Sequence, residues 1–232
     1  MYSYSITFNG ENCLAYRLIP VRRPSVPAPE KRYTQTQIPG MDGVLIETDG
    51  SYSPITISVE FNFMDSPGRW MEQYRAAKKW LKGAGWLKLG DDRDYLYKVY
   101  YVQVTGTERT SRKIGNFTAD FLCHPYAFLE SGQYEYAADE VQYNSYDISH
   151  PVYKITGNGA CTLTVNGKSM TANVSGNITI DTELMMAYQQ DGTAENTSVA
   201  GNYEDLYLVE GQNEISITDG FGLIVIPNWR CL

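Results

Sequence analysis

Two β domains, the first carrying a single α-helix, are what this 232-residue sequence predicts. Three observations carry that prediction. Ile55, Ile57, Val59, Phe61 and Phe63 alternate with Thr56, Ser58, Glu60 and Asn62, the period of a strand with one core face and one wet face. Beyond Pro151, short apolar runs recur between Gly and Asn residues, the spacing of an all-β sandwich or jelly roll. Only one stretch, about residues 66–83, has a helical period.

In that stretch Ser66 suits an N-cap and Pro67 the first helical position, where a missing N–H costs nothing. Trp70, Tyr74, Ala77 and Leu81 fall at i, i+4, i+7 and i+11, one face of a helix and its expected core stripe. Lys78, Lys79 and Lys82 complement the C-terminal end of the macrodipole, and Gly83 is placed to end the helix.

Ahead of the helix, Tyr4, Ile6 and Phe8 lead into Asn9-Gly10, a type I′ hairpin signal, with a second strand expected through Leu14, Tyr16 and Leu18. Residues 20–29 then hold four prolines, Pro20, Pro24, Pro27 and Pro29, which forbid a central strand and favour an extended path. Arg22, Arg23, Lys31 and Arg32 make this segment basic. A solvated surface loop fits the composition most simply; an arm lying on a neighbouring subunit fits it too. Pro39-Gly40 and Asp42-Gly43 form a double turn. After the helix, residues 86–89, 95–104 and 114–123 read as strands. Tyr95, Tyr97, Val99 and Tyr101 are expected on one face, and Leu96, Tyr100, Val102 and Val104 on the other.

In the second half, strands are expected over residues 152–155, 161–165, 170–174 and 178–180. Gly157-Asn158-Gly159 reads as a turn and Asn166-Gly167 as a hairpin. Ile215, Ile217 and residues 223–226 complete the set.

Charge divides the chain in the same way. Residues 1–130 carry 16 Lys and Arg against 14 Asp and Glu, a net of +2; residues 131–232 carry 3 against 13, a net of −10. The boundary is therefore expected near Glu130, giving domains 1–130 and 131–232. The acidic half argues against nucleic acid or an anionic membrane as its partner. The first residues lack a basic and then apolar leader, so a product made and kept inside a cell is expected. No run approaches the ~20 apolar residues of a membrane span. Cys13, Cys123, Cys161 and Cys231 show no C-x-x-C spacing, and His124 and His150 match no zinc pattern, so reduced thiols are expected. Asp91-Asp92-Arg93-Asp94 lacks the spacing of a calcium loop and reads as a solvated turn. No nucleophile elbow, zincin helix or phosphate-binding glycine loop occurs, so no enzyme, catalytic residue, metal or cofactor is expected.

The order of pieces in the first half resembles the distal tail proteins of long, flexible-tailed bacteriophages. The pieces are Asn9-Gly10, the Arg/Pro arm, Pro39-Gly40-Met41-Asp42-Gly43, the alternating strand, the helix with Trp70 and Trp80-Leu81, Asp91-Asp92, and Phe121-Leu122-Cys123-His124-Pro125-Tyr126. The second half resembles the galectin-like domain of the same family through Pro151, Gly157, Gly159, Val165-Asn166-Gly167, Ile180-Asp181 and residues 208–215, although the family more often has Pro where Glu210 stands. The resemblance implies a β-sandwich-like first domain and a galectin-like β-sandwich or jelly roll after it. It implies a structural tail-tip or baseplate hub protein, made in the host bacterial cytoplasm and located at the virion tail tip. Six copies would form a ring that joins the tail tube protein to the tail-associated fibre or lysin and carries receptor-binding or other baseplate parts, with DNA passing transiently through its centre and no membrane partner. In such a ring Arg22, Arg23, Pro24, Pro27, Pro29, Lys31 and Arg32 would be the inter-subunit arm. The alternative is a carbohydrate-binding protein whose second domain docks on cell-wall sugars through tyrosines such as Tyr188, Tyr203 and Tyr207.

Overall fold

The structure, a computed structural model, describes residues 4–65 and 68–232. It is mainly β with one α-helix, and the chain divides into two compact units, residues 1–127 with Leu232, and residues 128–231.

The first unit contains β1 (Ile6–Phe8), β2 (Glu11–Asn12), β3 (Leu18–Pro20), β4 (Thr34–Thr36), β5 (Leu45–Glu47), β6 (Ile55–Met64), α1 (Trp70–Trp80), β7 (Gly85–Leu89), β8 (Asp92–Val104), β9 (Glu108–Arg109) and most of β10 (Ile114–Leu129). Its sheet runs β2-β1-β7-β8-β10-β6-β3, with β9 also on β10. β6 pairs antiparallel with β10 from Met64 opposite Ile114 to Ile55 opposite Cys123. Ile55, Ile57, Val59, Phe61 and Phe63 are buried on one side of β6, so the alternation read in the sequence sets its face. Asn9 (φ 51°) and Gly10 (φ 81°) make the left-handed pair that the I′ turn between β1 and β2 requires.

Helix α1 packs on the buried face of this sheet. Trp70, Ala77, Trp80 and Leu81 are buried in one cluster with Phe8, Phe61, Phe63 and Phe117, and Tyr74 is half-buried against it. The rings of Phe63 and Trp70 lie 5.4 Å apart, those of Tyr74 and Phe117 5.6 Å. Each large side chain so buried contributes about 1.5–3 kcal/mol. Trp80, outside the expected stripe, widens it: its ring stacks on Tyr16 at 5.0 Å, and its Nε1–H donates to the Phe8 carbonyl.

Three sequence expectations are corrected in this unit. The helix spans Trp70–Trp80, shorter than 66–83, because Gly68 and Arg69 form a turn before it and Leu81 caps its end. The proposed cap, Ser66-Pro67, lies outside the described residues. The strand expected through Leu14 and Tyr16 is a 3₁₀ turn, Cys13–Tyr16, started by the Asn12 side chain accepting the Leu14 N–H. Here a local side-chain bond outcompetes the sheet ladder. On β8, Tyr97 and Val99 are buried, but the next core-packed residues are Val102 and Val104, not Tyr101, which is exposed. The inward parity changes across Tyr100-Tyr101, so the tyrosines do not form one continuous face.

The second unit contains β11 (Tyr136–Ala137), β12 (Tyr143–Asn144), β13 (Val152–Val165), β14 (Lys168–Asp181), β15 (Met186–Tyr188), β16 (Val199–Ala200), β17 (Gly211–Gln212), β18 (Ile215–Ile217) and β19 (Gly222–Ile226). Its main sheet runs β11-β19-β13-β14-β15, with β18 on β13 and β16 on β14, and β12 pairs with β17. The four short strands expected over 152–180 are two long ones, β13 and β14, in a hairpin turned by Asn166-Gly167. Gly157 and Gly176 face each other in that ladder at φ 152° and 82°. Gly157 is a site of close approach, since a Cβ there would lie 2.4 Å from the Phe221 ring. Tyr153, Leu163, Val165, Met170, Ile180, Leu206, Leu208 and Val225 are fully buried in the core.

Candidate functional site

The feature of the first unit that its own core does not explain is the excursion between β3 and β6. It leaves the sheet in register: Pro20 is opposite Phe61, and the Val21 N–H donates to the Glu60 carbonyl. Arg23 then lies 3.7 Å from Asp91 and 5.8 Å from the Tyr4 ring, tethering the proline-rich segment. Pro24 and Pro29 are half-buried, while Arg22, Arg23, Pro27, Lys31 and Arg32 are exposed.

From Glu30 the chain becomes a ribbon. The Ser53 N–H donates to the Glu30 carbonyl, Lys31 and Tyr52 form a bridge, and the Arg32 N–H donates to the Ser51 carbonyl. Next, β4 and β5 pair antiparallel, Thr34 with Glu47, Gln35 with Ile46 and Thr36 with Leu45. Gly40 (φ 81°) and Gly43 (φ 88°) turn the far end, where the Met41 N–H donates to the Ile38 carbonyl. Every residue from 30 to 50 is exposed, so the ribbon stands off the core that carries it. Residues 22–32, expected as an arm, lead into a longer exposed excursion that returns to the sheet at β6. The signals for the rest were the two Gly turns between Thr34-Gln35-Thr36 and Val44-Leu45-Ile46.

The ribbon surface is apolar and acidic. Ile38, Met41, Val44, Leu45 and Ile46 are exposed, Ile46 by 59%. Residues 33–50 contain Asp42, Glu47 and Asp49 and no Lys or Arg, a net of −3. Hydrogen bonds from the Ser51 hydroxyl and N–H hold the Asp49 carboxyl below the usual carboxylate range. Residues 22–32 carry the opposite charge through Arg22, Arg23, Lys31 and Arg32.

The tyrosines named for the sugar-binding alternative do not share one groove. Tyr188 lines an open groove of about 560 Å3 on the second unit's sheet with Lys154, Thr156, Asn177, Thr179 and Gln190. Tyr203 and Tyr207 are not part of that lining. Tyr207 stacks on His150 at 3.9 Å, and the Tyr203 hydroxyl donates to Asn196. Lys154 is paired with Glu135 at 2.6 Å beside the groove. Burial, reinforced by the Asp181 charge, pushes the Tyr188 hydroxyl above its usual range.

Neither a protein-family model nor a curated protein matches the chain. Among solved structures it is similar to the SPP1 Dit (gp 19.1) protein, described as a paradigm of the hub adsorption apparatus in phages infecting Gram-positive bacteria. The TM-score is 0.63, at 10% identity, and the match covers 100% of both chains. At that identity the likeness is one of fold, and it runs end to end: this chain is folded as the SPP1 distal tail protein is.

Proposed function

We propose that this chain is a structural hub protein of a phage tail tip, acting by assembly and not by catalysis. Copies join through the ribbon into a closed ring; six is the number implied by the resemblance to distal tail proteins. The ring joins the tail tube above to the fibre or lysin below and leaves a central path for DNA. The second unit carries receptor-binding or other baseplate parts.

The observation that supports this best is the ribbon. A two-stranded ribbon is marginal in water on its own, and this one exposes six large hydrophobic residues, Tyr33 among them, without a core beneath them. Such a surface is stabilised when a second surface covers it. A ribbon that covers a different patch of the next copy makes a head-to-tail contact, the kind that generates rings.

The hydrogen bond from the Ser53 N–H to the Glu30 carbonyl allows a clean test. Replacing residues 31–52 by Asn-Gly closes the ribbon's base with a two-residue turn and leaves the sheet intact. Negative-stain electron microscopy and sedimentation of the full chain are expected to show six-fold discs with a central hole. The shortened chain is expected to be a folded monomer. Discs from the shortened chain remove the ribbon from assembly; a full chain that stays monomeric at every concentration, with and without tube ends supplied, overturns the ring.

A further inference from the structure

We propose that the ribbon of one copy docks on the outward face of helix α1 of the next copy. The inference rests on the ring reading above and names its receiving surface.

Helix α1 has two unlike faces. Trp70, Ala77, Trp80 and Leu81 are buried. Met71, Arg75, Lys78 and Lys82 fall at i, i+4, i+7 and i+11 on the other side, and all are exposed. Arg69 and Lys79 are exposed as well. Across residues 69–82 the charge is Arg69, Arg75, Lys78, Lys79 and Lys82 against Glu72, a net of +4. The helix dipole accounts for lysines in the last turn only; Arg69 and Arg75 lie at the other end and in the middle. The outward face is therefore a cationic stripe with one exposed apolar side chain, Met71, at its start.

The ribbon presents the complement beyond its base, where Lys31 and Arg32 lie: residues 33–50 carry a net of −3 and no cation, around exposed Met41, Val44, Leu45 and Ile46. An acidic surface with an apolar centre facing a basic surface with an apolar anchor selects one orientation and rejects the like-charged ones. The reach suffices: ten residues of ribbon span about 33 Å at 3.3 Å per residue, about twice the length of the 11-residue helix, which is about 16 Å at 1.5 Å per residue. The contact is not made within one chain, because every ribbon residue from 30 to 50 is exposed.

Two pairs of charge reversals test the site. One chain carries Arg75→Glu and Lys79→Glu; another carries Asp42→Lys and Glu47→Lys. All four positions are exposed, and Asp49, which caps Ser51, is left alone. Circular dichroism verifies that each chain is folded, and sedimentation velocity at several concentrations and salt levels reads association. Each pair alone is expected to weaken association about tenfold or more, and the four changes together in one chain are expected to restore most of it. Wild-type rings with unaltered association of both reversed chains overturn the docking site and leave the ring standing. A wild-type chain that does not associate overturns the ring reading itself. Carbodiimide coupling of mixed isotope-labelled wild-type chains gives an independent readout. Links from Asp42 or Glu47 of one isotope to Lys79 or Lys82 of the other are expected, and rings lacking any such link overturn the docking site.

Discussion

A methyl group at position 115 would lie 2.5 Å from Trp70 Nε1 and 2.6 Å from Phe63 Cζ. Gly115 is thus what lets the indole come so close to β10, and the Arg109 guanidinium lies over the same ring, 4.5 Å from its centroid. Replacing a strand glycine by alanine ordinarily stabilises through the unfolded state by about 0.4–1 kcal/mol. Here the overpacking term is larger, so Gly115→Ala is expected to destabilise the first unit by about 1–3 kcal/mol. Trp70→Ala, which empties the same site, is expected to cost about 3–5 kcal/mol. Urea denaturation followed by tryptophan fluorescence measures both, and an alanine chain as stable as the parent shows that the indole can move aside. Trp70 was legible because its neighbours at i+4, i+7 and i+11 are apolar or small. Gly115 was not, because a glycine beside an alternating strand says nothing about which distant ring presses on it. Asn213 teaches the same lesson. Fully buried, it donates to the Val209 and Gly211 carbonyls and accepts from the Val209 N–H and the Asn166 amide. The sequence shows Asn166-Gly167 as a turn; the bond joining Asn166 to Asn213 across 47 residues has no local signature.

Among the elements, β6 and the β1–β2 turn were legible because period and turn chemistry are local properties. The long hairpin of β13 and β14 was broken into pieces because Gly157, Gly159 and Gly176 look like turns until their partners across the sheet are known. The ribbon was half legible: its turns were visible, but an absence of covering core is a property of the whole unit. That absence fixes its behaviour. With three residue pairs and exposed apolar side chains, β4 and β5 gain little beyond their backbone bonds. Their amides are expected to exchange with solvent orders of magnitude faster than those of β13 and β14 in the monomer, and to become protected once copies assemble. Hydrogen exchange read by mass spectrometry separates the two states. Slow exchange in the monomer would mean that the ribbon is stable alone, and would remove the main physical reason for it to seek a partner.

At the scale of the molecule, charge and contact divide the chain at nearly the same place. Residues 131–232 carry 3 cations against 13 acids, while the units separate between Ala127 and Phe128. The charge step was legible by counting; the fold of each unit is not written in its net charge. The distribution still constrains where the proposed ring contact would reside. Both the acidic ribbon and the cationic helix belong to the first unit, and the second unit, with only Lys154, Lys168 and Arg230, offers the ribbon no comparable cationic stripe. Each unit also has its own buried cluster, one around Phe61, Phe117 and Trp80 and one around Tyr153, Leu163 and Ile180. The two pieces are therefore expected to fold separately and to differ in association: residues 1–127 form rings alone, and residues 128–232 unfold cooperatively as a monomer. Sedimentation and thermal unfolding of the two fragments measure this. Rings that require residues 128–232 would move the assembly surface to the second unit, and with it the reason for the ribbon's charge.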